Sequence, residues 1–152
     1  MMDHAEEDLL LERQLCFALS VASRSIVGAY KPVLEDLGLT HPQYLLMLAL
    51  WEESPRRVRD LSASLLMDPA TLSPMLKRLE SAGLVTRNRA VGDERALAVD
   101  LTDAGRALRH RALKVPGTMM ERLGLGRDEV EELNRSMHRL IAAAQAAPQD
   151  AA

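Results

Sequence analysis

Residues 68–101 read DPATLSPMLKRLESAGLVTRNRAVGDERALAVDL, and this stretch decides the fold. As far as Ala82, apolar residues recur every three or four positions, which is the period of an amphipathic helix. After Gly83, a residue suited to end a helix, the period changes to two, which is typical of strands. We therefore predict a helix, followed by a β-hairpin whose turn contains Gly92 and Asp93. The predicted buried stripe of the helix comprises Leu72, Met75, Leu76 and Leu79.

The residues before this stretch complete a recognisable order of elements. Residues 58–66 have the helical period, and Asp68-Pro69 provides a cap for the helix that follows. A short helix, a turn, a second helix and a hairpin make up a helix-turn-helix with a wing. We therefore predict a mainly α protein with a small β-hairpin wing, of the winged helix-turn-helix class.

Further helices are predicted on both sides of this lobe. The helical period runs through residues 9–30 and again through residues 128–144. Thr40 and Gln43 match a capping box that opens another helix at residues 41–52. The face of that helix predicted to be buried comprises Tyr44, Leu45, Leu48 and Trp51.

Prolines are predicted to disturb two helices. Pro32 is expected to kink the first long helix before Gly38 ends it. Pro116 and Gly117 are expected to interrupt a helix that Thr102 caps.

Charge is distributed unevenly along the 152 residues, whose net charge is −3. Residues 56–111 hold 11 Lys/Arg against 7 Asp/Glu, whereas the remainder holds 8 against 15. A basic centre between acidic ends is consistent with a surface that binds DNA. Ordinary variation of surface charge would give the same count, so charge alone leaves both interpretations open.

The outer face of the predicted 68–82 helix carries the residue types that read DNA. Thr71 and Ser73 place small hydroxyls near its beginning, where such a helix reaches base edges in the major groove. Lys77 and Arg78 lie further along and suit phosphates or guanine. Pro74 inside a helix costs about 3 kcal/mol, so either the helix starts near Thr71 or function tolerates the cost. The alternative for this face is a solvated surface without a partner.

The predicted wing adds a second set of cations. Arg87 and Arg89 flank a tip at which Arg95 suits a narrow minor groove with its negative potential. Asp93 is placed to brace Arg95 through a charge-assisted hydrogen bond. The alternative is an ordinary polar turn with a weak surface ion pair.

Several classes of protein are disfavoured. The single cysteine, Cys16, excludes an intrachain disulfide and a cysteine-rich zinc site. The histidines show no metal-ligand spacing, so we predict neither a metal nor another cofactor, and we find no catalytic constellation that indicates an enzyme. No apolar run is long enough to span a membrane, and the acidic N-terminus does not resemble a signal peptide. We therefore expect a cytoplasmic protein without membrane contact.

The pattern resembles a known family over residues 9–144. The Asp93-x-Arg95 wing after a helix-turn-helix, with helices at both ends, is similar to the MarR family of winged-helix repressors. Shorter matches resemble the organic hydroperoxide regulators of that family. These matches are Leu11-Glu12-x-Gln14-Leu15-Cys16-Phe17, Tyr30-Lys31-Pro32, Pro42-Gln43-Tyr44, Thr71-Leu72-x-Pro74-Met75-Leu76-Lys77 and Pro116-Gly117-Thr118.

The resemblance implies a domain plan and a mechanism. The chain, 1–152, would act as one unit, with a DNA-binding lobe at 41–101 and dimerisation helices at 9–38 and 102–144. A homodimer would bind a palindromic operator in double-stranded DNA as a repressor. Cys16 would be the redox sensor, oxidised by an organic hydroperoxide to a sulfenic acid. Because no second cysteine is present, a low-molecular-weight thiol would then form a mixed disulfide, and the protein would release DNA.

The resemblance also implies residues that support the sensor. Tyr30 corresponds to a tyrosine that meets the cysteine in the family, but it lies about 21 Å from Cys16 along one helix and would have to come from the other subunit. His41 occupies the position of a second, thiolate-stabilising tyrosine, and Ser20 that of a further aromatic residue. His41 would replace the tyrosine as a hydrogen-bond donor or as a cation, or its presence would weaken sensing.

Other functions stay open at this point. A MarR-type repressor could be released by a non-covalent lipophilic or phenolic ligand, with Cys16 passive. A winged-helix module could instead bind protein, because fold alone does not establish function. A thiol peroxidase is disfavoured, because one consumed thiol is a switch and not a catalytic cycle.

Overall fold

The computed structural model describes the chain except residues 2, 91 and 149–152, and it leaves the side chains of residues 90 and 93–96 undescribed as well. The chain divides into two compact units, Met1–Val115 and Pro116–Ala152. The helices are α1 His4–Glu7, a single 3-10 turn at Leu11–Arg13, α2 Leu15–Glu35, α3 His41–Glu52, α4 Val58–Leu65, α5 Pro69–Ser81, α6 Asp103–Ala112, α7 Val115–Leu123 and α8 Arg127–Ala146. The strands are β1 Arg56–Arg57, β2 Val85–Ala90 and β3 Asp93–Leu101. This is the predicted mainly α fold with a small antiparallel wing.

The three strands form one antiparallel sheet in the order β1-β3-β2. Arg57 pairs with Ala98, and Ala98 pairs on its other side with Asn88. Arg56 and Arg87 both pair with Val99, which is fully buried. Because neighbouring residues of a strand face opposite sides, Arg56 and Arg87 belong to the inner side of the sheet, and Arg57 and Asn88 to the outer side.

The helix-turn-helix matches its prediction closely. Asp68 caps α5 by accepting a hydrogen bond from the N–H of Ala70 at 3.0 Å. The predicted stripe Leu72, Met75, Leu76 and Leu79 is buried, and Gly83 follows the helix with φ +77°. Between α4 and α5, Leu66 adopts the left-handed conformation at φ 52°.

The buried face predicted for α3 is only partly right. Thr40 and Gln43 form the expected capping box, and Tyr44 is buried. Leu48, however, is 41% exposed, whereas Leu46, Met47 and Leu50 are fully buried. The helix lies at the centre of its unit and is covered on more than one side, so that no single stripe describes it.

One helix start and one proline prediction are corrected. The segment predicted as a helix from residue 9 forms a 3-10 turn first, and α2 begins at Leu15. Pro32 lies inside α2, which continues through the buried Leu34 to Glu35, and the kink expected there stays a prediction. Pro116 lies in the first turn of α7, where a proline costs no helical hydrogen bond.

Three hydrogen bonds hold the start of α6 against α3 and against the end of α5. The indole N–H of Trp51 donates to the carbonyl of Gly105 at 2.9 Å, tying α3 to α6. The Thr102 hydroxyl accepts from the N–H of Gly105 at 3.0 Å and donates to the carbonyl of Gly83 at 2.6 Å. A Cβ at Gly105 would stand 2.1 Å from the carbonyl oxygen of Leu84, so only glycine allows α6 to approach the residue before β2 this closely.

Two helices keep apolar side chains in water. No residue of α8 is buried, and of α2 only Leu34 is. Large apolar residues at least one third exposed on these helices are Leu15, Phe17, Ile26, Val27, Leu133, Met137 and Ile141. Within the described parts of the chain, no helix is long and apolar enough to cross a membrane.

Candidate nucleic-acid interface and cysteine site

The outer face of α5 presents the residues proposed to read DNA. Thr71, Ser73, Pro74, Lys77 and Arg78 are all exposed, while the stripe opposite them is buried. Since α5 begins at Pro69, Pro74 lies inside the helix, and the idea that the helix starts near Thr71 is wrong. The face is thus a row of hydroxyls, a proline ring and two cations on a rigid helix.

Arg87 ties the wing to this helix. Its Nε and Nη2 donate to the two carboxylate oxygens of Glu80, both at 3.3 Å. The hydrogen bond and the positive charge of Arg87 lower the pKa of Glu80. Arg87 is only 23% exposed, so its guanidinium connects β2 to the last turn of α5. The sequence pattern predicted Arg87 only as a DNA contact, and it did not predict the ion pair with Glu80.

The tip of the wing is described only in part. Gly92 has φ +85°, which suits a tight turn, and β3 begins at Asp93. The side chains of Asp93 and Arg95 lie outside the described residues. Their proposed roles at the minor groove stay predictions.

Cys16 is the second residue of α2, and it is exposed. Because α2 is one continuous helix from Leu15 to Glu35, Tyr30 of the same chain lies about 21 Å further along it. The two residues are therefore separate within one protomer. No group of three or more potential metal ligands occurs among the residues whose positions are described.

Tyr30 and His41 meet each other instead, together with Tyr44. The ring centres of Tyr30 and His41 are 5.5 Å apart at 64°, an edge-on contact, and those of Tyr30 and Tyr44 are 5.9 Å apart. Burial raises the pKa of Tyr30. Burial, together with the electrostatic effect of Tyr30, raises the pKa of Tyr44 to about 12. Burial lowers the pKa of His41. All three rings are consequently neutral near pH 7, and we call Tyr30, His41 and Tyr44 the ring cluster.

Three comparisons bear on this arrangement. A family model described as transcriptional regulator SarA/Rot matches residues 28–111. The organic hydroperoxide resistance transcriptional regulator of Bacillus subtilis (strain 168) is 42% identical over 88% of this chain and 89% of its own length. The regulator MgrA of Staphylococcus aureus is 37% identical over 86% and 90%.

Solved structures show the same fold on DNA. AbfR is a protein of Staphylococcus epidermidis. Its overoxidised form bound to DNA has a TM-score of 0.76 at 31% identity, and the match covers 92% of this chain and 98% of that one. The repressor CouR bound to a 23-mer DNA duplex has a TM-score of 0.78 at 31% identity, covering 89% and 96%. These relatives set aside both an enzyme and a module that binds only protein. The chain is a transcriptional regulator that binds DNA, and it belongs to the MarR family.

Proposed function

We propose that this regulator is a repressor that releases its operator when an organic hydroperoxide oxidises Cys16. The observation that carries the proposal is an exposed lone cysteine in the first turn of α2, in a chain 42% identical to a regulator of organic hydroperoxide resistance. A thiolate is the reactive form of cysteine, and an exposed thiol is open to attack on a peroxide from solution.

The chemistry needs two steps. The Cys16 thiolate attacks a peroxide oxygen of ROOH, the O–O bond breaks, and the products are a sulfenic acid and the alcohol ROH after proton uptake. A low-molecular-weight thiol R′SH then condenses with the sulfenic acid to give a mixed disulfide and water. A small thiol is required because the chain has one cysteine.

A homodimer would bring sensor and DNA lobe into one assembly. The exposed apolar faces of α2 and α8 are suited to be covered by a second copy, in line with the dimerisation segments 9–38 and 102–144. A two-fold dimer places two copies of α5 on a palindromic operator. The lobe 41–101 carries that contact, with Thr71, Ser73, Pro74, Lys77 and Arg78 in the major groove and Arg95 in the minor groove.

The ring cluster supports a specific role for His41. If Tyr30 of one subunit reaches Cys16 of the other, His41 arrives with it, because the two rings are in contact. Since burial lowers the pKa of His41, the neutral imidazole is the form present at neutral pH. His41 would therefore replace the expected tyrosine as a hydrogen-bond donor to the thiolate, and not as a cation.

The test compares wild type with Cys16→Ser. Operator duplex, obtained by selection from a random library, is bound to each protein with and without cumene hydroperoxide plus free cysteine. Release by wild type alone is expected. Release of both proteins, or of neither, contradicts the proposal. Release of both by a phenolic compound without oxidant would instead identify a ligand-responsive repressor in which Cys16 is passive.

A further inference from the structure

A second basic feature lies on the outer side of the wing sheet, away from α5. Here a cleft of about 320 Å³ opens between β1 and β2, over β3. We call it the outer-face cleft, and its members on the outer side of the sheet are Arg57, Asn88, Ala98 and Asp100. Pro55, Arg56 and Arg89 line it as well, although strand alternation assigns Arg56 and Arg89 to the inner side. The recognition residues of α5 do not line it.

Strand register explains why a cleft forms. Arg57, Ala98 and Asn88 stand side by side on three adjacent strands. Two strand spacings separate Arg57 from Asn88 by about 9–10 Å, and the small side chain of Ala98 forms the floor between them. Two long polar side chains therefore flank a gap wide enough for a small ion.

The two arginines of β1 differ in their hydrogen bonds. Arg56 bonds the carbonyl of Ala49 at 3.4 Å and the hydroxyl of Ser64. Its neighbour Arg57 is half-buried and makes no cap bond to α4, although it is the residue preceding that helix. Among the described side chains, Arg57 has no salt-bridge partner. A partly desolvated guanidinium without an acid is suited to an anion from outside.

The acid in the cleft is already occupied. One Oδ1 atom of Asp100 accepts from the N–H of Leu101 at 2.8 Å and from Nη2 of Arg106 at 3.3 Å. Asp100 therefore offsets Arg106 more than it offsets Arg57. The charge left in the outer-face cleft is positive.

We propose that the outer-face cleft binds a phosphate group, held by Arg57 with help from Asn88. The phosphate comes either from the DNA backbone or from a free small anion. The first source rests on the DNA-binding function and would widen the footprint beyond α5 and the wing tip. The second would make the cleft an effector site on the DNA-binding lobe.

The first arm of the test measures binding of the full chain to a generic DNA duplex at several salt concentrations. Each phosphate contact contributes about 0.9 to the slope of log affinity against log salt. Arg57→Gln should lower the slope by that amount per protomer. When the salt concentration rises from about 50 to 200 mM, the affinity of wild type for DNA should therefore fall by an additional factor of about three to four for each such contact. Arg109→Gln removes one charge from an exposed position of α6 and should keep the wild-type slope.

The second arm uses inorganic phosphate alone, against chloride at equal ionic strength. Phosphate bound to the cleft raises the unfolding temperature of wild type and Arg109→Gln but not of Arg57→Gln. Ala98→Glu puts a carboxylate on the floor of the outer-face cleft and keeps Arg57, so it should also abolish the stabilisation by phosphate. It is a second variant that tests the cleft in case Arg57→Gln does not fold. Circular dichroism checks the fold of each.

The two arms separate the sources. A changed salt slope without phosphate stabilisation assigns the cleft to the DNA backbone, and the reverse assigns it to a free anion. If Arg57→Gln and Ala98→Glu match wild type in both arms, the proposal is overturned. If wild type binds no duplex at all, the DNA function fails separately, and the phosphate arm alone decides for or against the cleft.

Discussion

Burial keeps the two tyrosine side chains of the ring cluster protonated to higher pH than free tyrosine. The chain has two tyrosines, both in the ring cluster, and a free tyrosine is half-ionised near about pH 10. Since the pKa of Tyr30 is raised and that of Tyr44 is about 12, the folded protein resists losing either proton. We expect little phenolate absorbance at about pH 10.

The same shift makes stability depend on pH. The unfolded chain loses its phenol protons near about pH 10, whereas the folded chain keeps that of Tyr44 until about 12. The stabilisation is therefore present below about pH 10 and is lost as the pH rises towards 12. Urea unfolding across this range measures it, and Tyr44→Phe should flatten the decline. Full phenolate absorbance at about pH 10 in folded protein would contradict the prediction.

His41 gives the opposite dependence at low pH. Because its folded pKa is lowered, the unfolded chain takes up a proton that the folded chain resists. The free energy of unfolding should fall as the pH drops below about 6.5 and level off below the folded pKa. Urea midpoints for wild type and His41→Gln measure this part of the decline. An unchanged slope in His41→Gln would assign the effect to other groups.

At the scale of elements, helix caps and periodicity predicted those boundaries that depend on residues close together in the sequence. The boundaries of α3 and α5 follow from Thr40, Gln43, Asp68 and Gly83, whose hydrogen bonds and turns are local. Strand β1 was not predicted, because two residues carry no period and Arg56–Arg57 is a strand only through its pairing with β3. Glu80 was missed for the same reason, since its partner lies across a tertiary contact.

The candidate site divides in the same way. The exposed face of α5 could be deduced from the position of its buried stripe. The meeting of Tyr30 with His41 could not, because it depends on how α2 packs against α3.

The junction of α6 with the wing predicts a sharp intolerance. Gly105→Ala would place a Cβ 2.1 Å from the Leu84 carbonyl oxygen, which is backbone and cannot rotate away. Shifting α6 would also break the Trp51 and Thr102 hydrogen bonds. We expect a loss of at least about 1–3 kcal/mol in the free energy of unfolding, measured in urea.

Gly117→Ala is the matched control for this substitution. Nothing lies within 4 Å of a Cβ built at Gly117, which is inside α7. Alanine there should leave stability unchanged or raise it by up to about 1 kcal/mol. Equal effects of the two substitutions would show that the close approach at Gly105 does not limit the fold.

For the whole molecule, the exposed stripe of α8 predicts how the chain assembles. Leu133, Met137 and Ile141 follow one another at four-residue intervals and are 51%, 38% and 42% exposed. If a second copy covers them, Met137→Glu buries an unpaired carboxylate in the interface. Such a charge costs several kcal/mol, so the dimer dissociation constant should rise by more than about a hundredfold.

Sedimentation velocity of the full chain measures this, with Ala142→Glu as the control. Ala142 is exposed on the same helix. It lies about 140° around the helix from Met137, so that variant adds the same charge outside the stripe and should remain dimeric. Operator affinity should fall together with dimerisation, because a single protomer presents only one α5 to a two-fold operator. If Met137→Glu dimerises as well as Ala142→Glu, the stripe is not the dimer interface. The coupling of Cys16 to DNA through that interface would then have to follow another route.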